Sequence, residues 1–280
     1  MTATPASVSG EWVRRYLDLL GVERPSTPSL SALAELTRAH VLGIPFENVT
    51  SLLRSRAHRG RPVPPIDPDE ILAGWEQGRG GGVCFEKSEL FGQLLGALGY
   101  CVEPAMGLIS FPGSHQALVV ELAGSRYLVD VANGAPFLEP IPLDRTVEVR
   151  RAGLAYRFRP SAVAAECVQD RLIQGTWVPY CRYSLRAPTR AEQEAAYQRH
   201  HMPGESWVTG TLTLIRCEER QVFVLRDEEL ARYTEGGKIT EQVSGLVRYA
   251  ELAREVFRLP ALPVAAGVAA WRENAPASRQ

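Results

Sequence analysis

Residues 78–99 read GRGGGVCFEKSELFGQLLGALG, and this stretch decides the fold. Apolar side chains recur there at intervals of three and four residues, at Phe91, Leu94, Leu95 and Leu98. This spacing predicts one face of an α-helix, and Gly99 follows at the place where helices commonly end. We therefore predict a helix that begins near Cys84, directly after a run of glycines.

Cys84 thus has the surroundings of a reactive thiol. The start of a helix presents unpaired backbone N–H groups and the positive end of the helix dipole, and both favour a thiolate. The same N–H groups can hold a developing oxyanion. A lone cysteine is more often a buried apolar residue, so a catalytic interpretation also needs a base.

His115 and Asp130 are the candidate base and its orienting carboxylate. His115 directly precedes a predicted strand over 116–122, and Asp130 lies on the predicted returning strand over 126–131. Both therefore occupy the open end of one hairpin. A carboxylate beside an imidazole fixes its tautomer and stabilises the imidazolium, so the sequence predicts a triad with Cys84.

The periodicity changes from helical to strand-like after Gly99. Helices are predicted over 13–20, 30–42, 69–75, 190–199 and 240–256, with a broken polar loop over 54–68. Strands are predicted over 100–111, 116–122, 126–131, 147–150, 154–159, 177–184, 207–217 and 220–225. Helices first and strands in the middle, without regular alternation, predict the α+β class.

Composition excludes several partners. The chain has 280 residues, and 31 Lys+Arg against 32 Asp+Glu give a net charge of −1. This balance gives no reason to expect a nucleic-acid or anionic-membrane partner. Residues 1–10 lack a signal-peptide pattern, and no apolar tract reaches the roughly 20 residues of a membrane span. We expect a cytoplasmic protein with no membrane partner.

The remaining cysteines and histidines predict no metal site. Five cysteines without a C-x-x-C pair or a histidine at ligand spacing form neither a disulfide framework nor a zinc site. Four are expected to be packing residues: Cys101, Cys167, Cys181 and Cys217. We interpret His200 and His201 as part of a surface or hinge loop. The arginines at 54, 56, 59 and 61 are interpreted as solvated.

The triad residues lie in motifs that resemble those of the arylamine N-acetyltransferases. These motifs are RGGGVCFE at 79–86, Ser114-His115, YLVDV at 127–131, and IPFEN at 44–48 after Arg38-Ala39-His40. The resemblance covers most of residues 11–225. It implies an N-terminal helical bundle (1–99) that carries the cysteine, a central antiparallel β-barrel-like domain (100–189) and a C-terminal α/β lid (190–280), with a papain-like Cys-His-Asp core.

The resemblance also implies a reaction. Cys84 would take an acyl group from a thioester, usually acetyl-CoA, and an amine would then attack the acyl-enzyme, with no permanently bound cofactor. His115 would transfer protons, and Asp130 would hold the imidazole of His115 in place. The implied substrate-binding residues are Phe46, Val83, Phe85, Asn133 and Gly134.

Three other functions remain open. An amide synthase would use an acyl carrier protein as the thioester partner, as enzymes that form macrolactams do. A hydrolase would use water in place of the amine. A non-catalytic binding module would keep only the scaffold.

The chain departs from the family pattern at three places. One glycine is added before Cys84, which moves Arg79 one step away from the position where it is expected to support the site by pairing with Glu47. Ser88 replaces a common asparagine. Asn133 replaces an aromatic residue of the acceptor pocket, so it either suits a more polar acceptor or bonds a neighbouring strand.

Overall fold

The computed structural model describes residues 8–59 and 61–274, and helices occupy both ends of this described part. Residues 1–7, on which the expectation about export partly rests, lie outside this part. The helices are α1 (Gly10–Leu20), α2 (Leu30–Gly43), α3 (Val49–Ala57), α4 (Pro68–Glu76), α5 (Cys84–Ala97), α6 (Arg190–His200), α7 (Trp207–Gly210), α8 (Leu246–Glu255) and α9 (Val264–Asn274).

Thirteen strands are found in the described part of the chain. They are β1 (Phe46–Glu47), β2 (Cys101–Leu108), β3 (His115–Leu122), β4 (Ser125–Val129), β5 (Ile141–Pro142), β6 (Val147–Arg151), β7 (Leu154–Pro160), β8 (Glu166–Ile173), β9 (Thr176–Ser184), β10 (Thr213–Cys217), β11 (Gln221–Arg226), β12 (Glu229–Thr234) and β13 (Gly237–Gln242).

The strands form two sheets with antiparallel pairing throughout. The larger has eight strands in the order β5-β4-β3-β2-β9-β8-β7-β6, and the smaller has five in the order β1-β10-β11-β12-β13. The predicted α+β class is confirmed, with the eight-stranded sheet as its barrel-like middle. The division at residues 99 and 189 stays a prediction.

Helix α5 packs its apolar face onto the β2–β3 hairpin. Phe91, Leu94 and Leu95 are fully buried and share a core cluster with Leu118 of β3. Gly92 lets the helix approach closely, because a Cβ there would lie 3.2 Å from the Leu118 side chain. Each such buried side chain contributes about 1.5–3 kcal/mol. The packing fixes the start of α5 relative to the start of β3.

The smaller sheet ties the N-terminal helices to the last third of the chain. Its first strand, β1, precedes α3, and Phe46 pairs with Ile215 of β10. Asn48 strengthens this connection, since its Nδ2 donates to the carbonyls of Val208 (2.8 Å) and Thr211 (2.7 Å). Strand β1 therefore brings Phe46 and Glu47 beside the C-terminal sheet.

Several predicted elements were wrong in part. The predicted loop over 54–68 begins inside α3, which carries Arg54 and Arg56. The predicted strand over 207–217 is interrupted, because Ser206 caps the short helix α7 and only β10 is extended. The predicted helix over 240–256 starts as β13 and becomes helical only at Leu246.

Two predictions about exposure were also wrong. His200 and His201 are buried at the end of α6, with relative exposures of 0% and 3%, and do not form a surface loop. Their ring nitrogens bond backbone carbonyls, which satisfies part of their polarity inside the protein. Cys101 is exposed at the start of β2, whereas Cys167, Cys181 and Cys217 are buried as expected.

Candidate active site

Cys84 is the first residue of α5 and is buried, with 4% relative exposure. The glycine run before it is shaped by two carboxylates. Gly82 N–H donates to Glu47 Oε1 (2.8 Å), and Val83 N–H donates to Glu86 Oε2 (3.1 Å). Gly82 has φ +88°, and a Cβ there would lie 2.7 Å from the Glu86 side chain. A glycine is therefore required at this approach to the helix.

The hairpin β3–β4 brings His115 and Asp130 together. His115 begins β3 and Asp130 directly follows β4, so both lie at the open end of the hairpin. His115 Nε2 lies 2.8 Å from Asp130 Oδ2, and Asp130 Oδ1 accepts from Ala132 N–H at 3.1 Å. Cys84 also interacts electrostatically with His115, in the direction that raises the pKa of His115. Because Nε2 faces Asp130, Nδ1 is the nitrogen available to Cys84.

The charges of His115 and Asp130 stabilise each other inside the protein. Burial alone would lower the pKa of His115, but the charge and hydrogen bond of Asp130, then Cys84, raise that pKa well above its usual value. Burial would raise the pKa of Asp130, but His115 and the Tyr183 hydroxyl lower it. An imidazolium beside a carboxylate is therefore the favoured state of this pair.

Asp130 has further partners that the sequence analysis missed. Its Oδ2 accepts from the Tyr183 hydroxyl (2.7 Å) and from Asn133 Nδ2 (3.2 Å). Gln169 Oε1 lies 2.8 Å from the same hydroxyl and accepts from the same amide (3.1 Å). Tyr183 lies on β9 and Gln169 on β8, so the neighbouring strands hold the carboxylate.

Asn133 is thus engaged inside the protein. Its nitrogen contacts Asp130 and the side chains of two strands, which agrees with the second of the two roles left open by the sequence. Its Oδ1 is buried and has no hydrogen-bond partner in the described part of the chain. A role of Asn133 in substrate binding stays a prediction.

The other predicted substrate-binding residues lie in two apolar clusters and against the smaller sheet. Phe85 and Cys84 belong to one apolar cluster. Phe46 and Val83 belong to an adjacent cluster, where Phe46 stacks on a tryptophan of α7 with ring centroids 6.0 Å apart. Gly134 lies against the smaller sheet, because a Cβ there would lie 2.4 Å from an isoleucine of β10. Their contacts with substrate stay predictions.

The expected pair of Arg79 and Glu47 is wrong. Arg79 is exposed, and no ion pair joins it to Glu47 within the described ranges. Gly80 takes the place beside the carboxyl, since a Cβ there would lie 2.9 Å from Glu47 Cδ. Burial raises the pKa of Glu47, and Thr50 and the Gly82 backbone are its hydrogen-bond partners. Glu47 is therefore held by two backbone N–H groups and the Thr50 hydroxyl, without Arg79.

Two more supporting contacts surround the cysteine. Arg54, which we had interpreted as solvated, pairs with Glu86 at 2.7 Å. Ser88 Oγ donates to the carbonyl of Gln116 at 2.8 Å and so ties α5 to β3 one residue after His115. The serine thus serves as a link between the helix of the thiol and the strand of the imidazole.

A metal site and a membrane span are both missing from residues 8–59 and 61–274. No group of three or more His, Cys, Asp or Glu side chains there has the arrangement of a metal site. No helix in these ranges has the length and apolarity needed to cross a membrane.

Comparisons with known proteins agree with this geometry. The family model described as N-acetyltransferase matches residues 29–261. An arylamine N-acetyltransferase of Mycolicibacterium smegmatis is 28% identical over 239 residues, which cover 79% of this chain and 82% of the relative. This chain belongs to the arylamine N-acetyltransferase family.

Two further similar proteins extend the comparison. The proansamycin X synthase of Amycolatopsis mediterranei is 28% identical over 146 residues, or 49% of this chain and 55% of that enzyme. The structure of the Mycobacterium marinum arylamine N-acetyltransferase in complex with CoA matches with a TM-score of 0.79 and 21% identity, over 94% of this chain and 100% of that one. The predicted fold with its papain-like core and the predicted class, an amide-forming N-acyltransferase, are confirmed.

Proposed function

We propose that this N-acetyltransferase moves an acyl group from acetyl-CoA or another acyl-CoA to a small-molecule amine through an acyl-Cys84 intermediate. The observation that carries the proposal is the buried His115, which pairs with Asp130 at 2.8 Å and interacts electrostatically with Cys84, the first residue of α5. The CoA complex of the Mycobacterium marinum relative supports a CoA thioester as donor. The reaction needs no permanently bound cofactor, and we place it in the cytoplasm.

In the first half-reaction the Cys84 thiolate attacks the carbonyl carbon of the thioester. The developing oxyanion is stabilised by backbone N–H groups at the start of α5. The intermediate collapses as its bond to the CoA sulfur breaks, and the His115 imidazolium gives its proton to that sulfur. Acyl-Cys84 and CoA thiol are the products.

In the second half-reaction the amine nitrogen attacks the carbonyl carbon of acyl-Cys84. Neutral His115 takes the proton that the nitrogen loses, and the bond between carbon and the Cys84 sulfur breaks. The thiolate and the imidazolium are regenerated with release of the amide. Asp130 stabilises the imidazolium and keeps Nδ1 directed at the sulfur.

An amide synthase is the second candidate, and the similarity to proansamycin X synthase supports it. In this case the donor would be an acyl thioester on a carrier protein, and the amine would come from the same acyl chain or from another molecule. Cys84, His115 and Asp130 would act as described above. Only the donor and the acceptor differ.

Mass spectrometry of the intact protein and its peptides tests these functions. We expect acetyl-CoA to label Cys84 in the wild type and an added amine to remove the label as an amide. Cys84→Ala should remain folded and unlabelled. Cys101→Ala is the matched control, because Cys101 is the exposed cysteine among the described ones and its loss should leave acetyl transfer unchanged.

The other outcomes of this experiment separate the alternatives. Labelling by a carrier-bound acyl group alone would favour the amide synthase. Release of free acid at full rate without an amine would favour a hydrolase. A wild-type Cys84 that accepts no acyl group from either donor would refute both acyl-transfer proposals and leave a binding module.

A further inference from the structure

Arg54 and Glu86 form an ion pair beside the proposed nucleophile. Arg54 Nη1 of α3 lies 2.7 Å from Glu86 Oε1 of α5, and the two side chains are 17% and 1% exposed. Glu86 is two residues after Cys84, in the first turn of the same helix. Arg54 also donates to the Tyr197 hydroxyl of α6. This arginine therefore connects three helices around the start of α5.

The two oxygens of Glu86 have different partners. Oε2 accepts from the backbone N–H of Val83, the residue directly before Cys84, and Oε1 accepts from Arg54. The N-cap residue Val83 has no side chain that can cap the helix, so Glu86 supplies the contact. Arg54 thus holds the carboxylate that shapes the turn preceding the cysteine.

The charge of Glu86 opposes the chemistry proposed for Cys84. A thiolate is stabilised by the positive start of a helix, and a second anion in the first turn disfavours it by like-charge repulsion. A cation bound to that carboxylate cancels most of this repulsion. Arg54 is always protonated, so its positive charge is present beside Glu86 throughout the pH range of an alkylation assay.

Other titratable groups also face Glu86. Glu47 approaches from β1, and Tyr197, His200 and His201 approach from α6. Burial, the first cause in both histidines, lowers their pKa values, to about 4 in His200. Both are therefore neutral near pH 7 and provide no positive charge. Arg54 is the cation in direct contact with Glu86.

We infer that Arg54 is a positioning residue for acyl transfer, which acts through Glu86 by orienting its carboxylate and cancelling its charge at Cys84. The inference rests on the proposed function, because it takes Cys84 as the nucleophile. Arg54 itself touches neither the thiol nor the substrate in this role. The sign of the charge effect distinguishes it from a structural contact.

Alkylation of Cys84 by iodoacetamide, followed by peptide mass spectrometry across pH, tests the inference. In Arg54→Met the rate at pH 7 should fall about tenfold and the midpoint of the pH profile should rise by about one unit, as expected when a close charge is lost. In the Arg54→Met/Glu86→Gln double variant both values should return to near wild type. Arg56→Met is the matched control, because Arg56 lies on the same helix and pairs with an exposed glutamate.

Glu86→Gln alone decides between charge and structure, and it also covers the case in which Arg54→Met does not fold. It removes the anion but keeps an oxygen for the Val83 N–H, so alkylation should be at least as fast as in the wild type, with an unchanged or lower midpoint. A loss of rate in Glu86→Gln as large as in Arg54→Met would overturn the inference. Wild-type rate and midpoint in Arg54→Met would also overturn it.

The acylation experiment keeps the two proposals separate. If wild-type Cys84 accepts no acyl group from a thioester, the proposed function fails. If it is acylated, but the charge variants alkylate as the wild type does, only the inference about Arg54 fails.

Discussion

Tyr183→Phe removes one oxygen from the network that holds Asp130 and leaves the ring in place. The Tyr183 side chain is fully buried, and its hydroxyl lies 2.7 Å from Asp130 Oδ2 and 2.8 Å from Gln169 Oε1. Asp130 would keep its hydrogen bonds to His115, to Asn133 and to the Ala132 backbone. No acceptor of the network is therefore left without a donor.

The expected decrease in the free energy of unfolding of Tyr183→Phe follows from these contacts. A hydrogen bond to a charged group contributes about 1.5–3 kcal/mol, and the remaining donors keep the loss near the middle of this range, at about 2 kcal/mol. For a chain of 280 residues, that corresponds to a decrease of roughly 3–4 °C in the melting temperature. The Asp130 carboxylate, with one hydrogen-bond donor fewer, should interact more strongly with His115. The pKa of His115 should therefore rise further.

Calorimetry and the pH profile of Cys84 alkylation measure the two effects. Tyr156→Phe is the matched control, since Tyr156 is a buried tyrosine of the same sheet that packs on Phe137. We expect Tyr183→Phe to lose about 2 kcal/mol more than this control. Equal stability of the two variants, with unchanged pH profiles, would show that the hydroxyl does not support Asp130.

Two further predictions concern the pH dependence of stability and the glycine run. Asp130 raises the pKa of His115 above its unfolded value, so the stabilisation is fully present below about pH 6.5 and is lost as pH rises through the raised pKa. In a Cys84→Ala background, the stability lost on adding His115→Gln should therefore be largest at about pH 6.5 and should shrink as pH rises, as measured by urea unfolding. Buried Lys87, whose pKa is lowered to about 7, gives an opposite slope that both variants share, so only their difference reports on His115. A loss that does not shrink with rising pH contradicts the assignment. Gly81→Ala would place a Cβ 1.1 Å from Trp75 Nε1, so it should cost about 3 kcal/mol by overpacking in the same assay. A cost below about 0.5 kcal/mol, as at ordinary surface sites, would refute the close contact.

Local signals were sufficient to predict the elements that carry the triad. Helix α5 was predicted from apolar spacing, and it begins at Cys84 as expected. The β3–β4 turn was predicted from a short Ala-Gly-Ser sequence, and two residues there, Ala123 and Gly124, have positive φ values of 50° and 77°. Such a turn matches the twist of a hairpin and sets the register that brings His115 near Asp130.

The supporting residues could not be predicted in the same way. Strand β8, which supplies Gln169, contains charged residues whose burial depends on the neighbouring strands, so no clear alternation marked it. Tyr183 is on β9, 53 residues from Asp130, and nothing in the sequence pairs them. The polar sequence around Arg54 is typical of solvated residues. The burial of Arg54 depends on its tertiary contact with Glu86, which no local pattern indicates.

Three buried carboxylates surround the proposed nucleophile, and each is accommodated differently. Asp130 is paired with the His115 imidazolium. Glu86 is paired with Arg54. Glu47 has no arginine; burial raises its pKa, which favours its neutral form, and a backbone N–H of the glycine run donates to it. Glu47 is therefore held by Thr50 and the glycine run without an arginine, and we expect the displacement of Arg79 to leave acyl transfer unimpaired. The charge that must be cancelled is that of Glu86, and Arg54 is placed to cancel it.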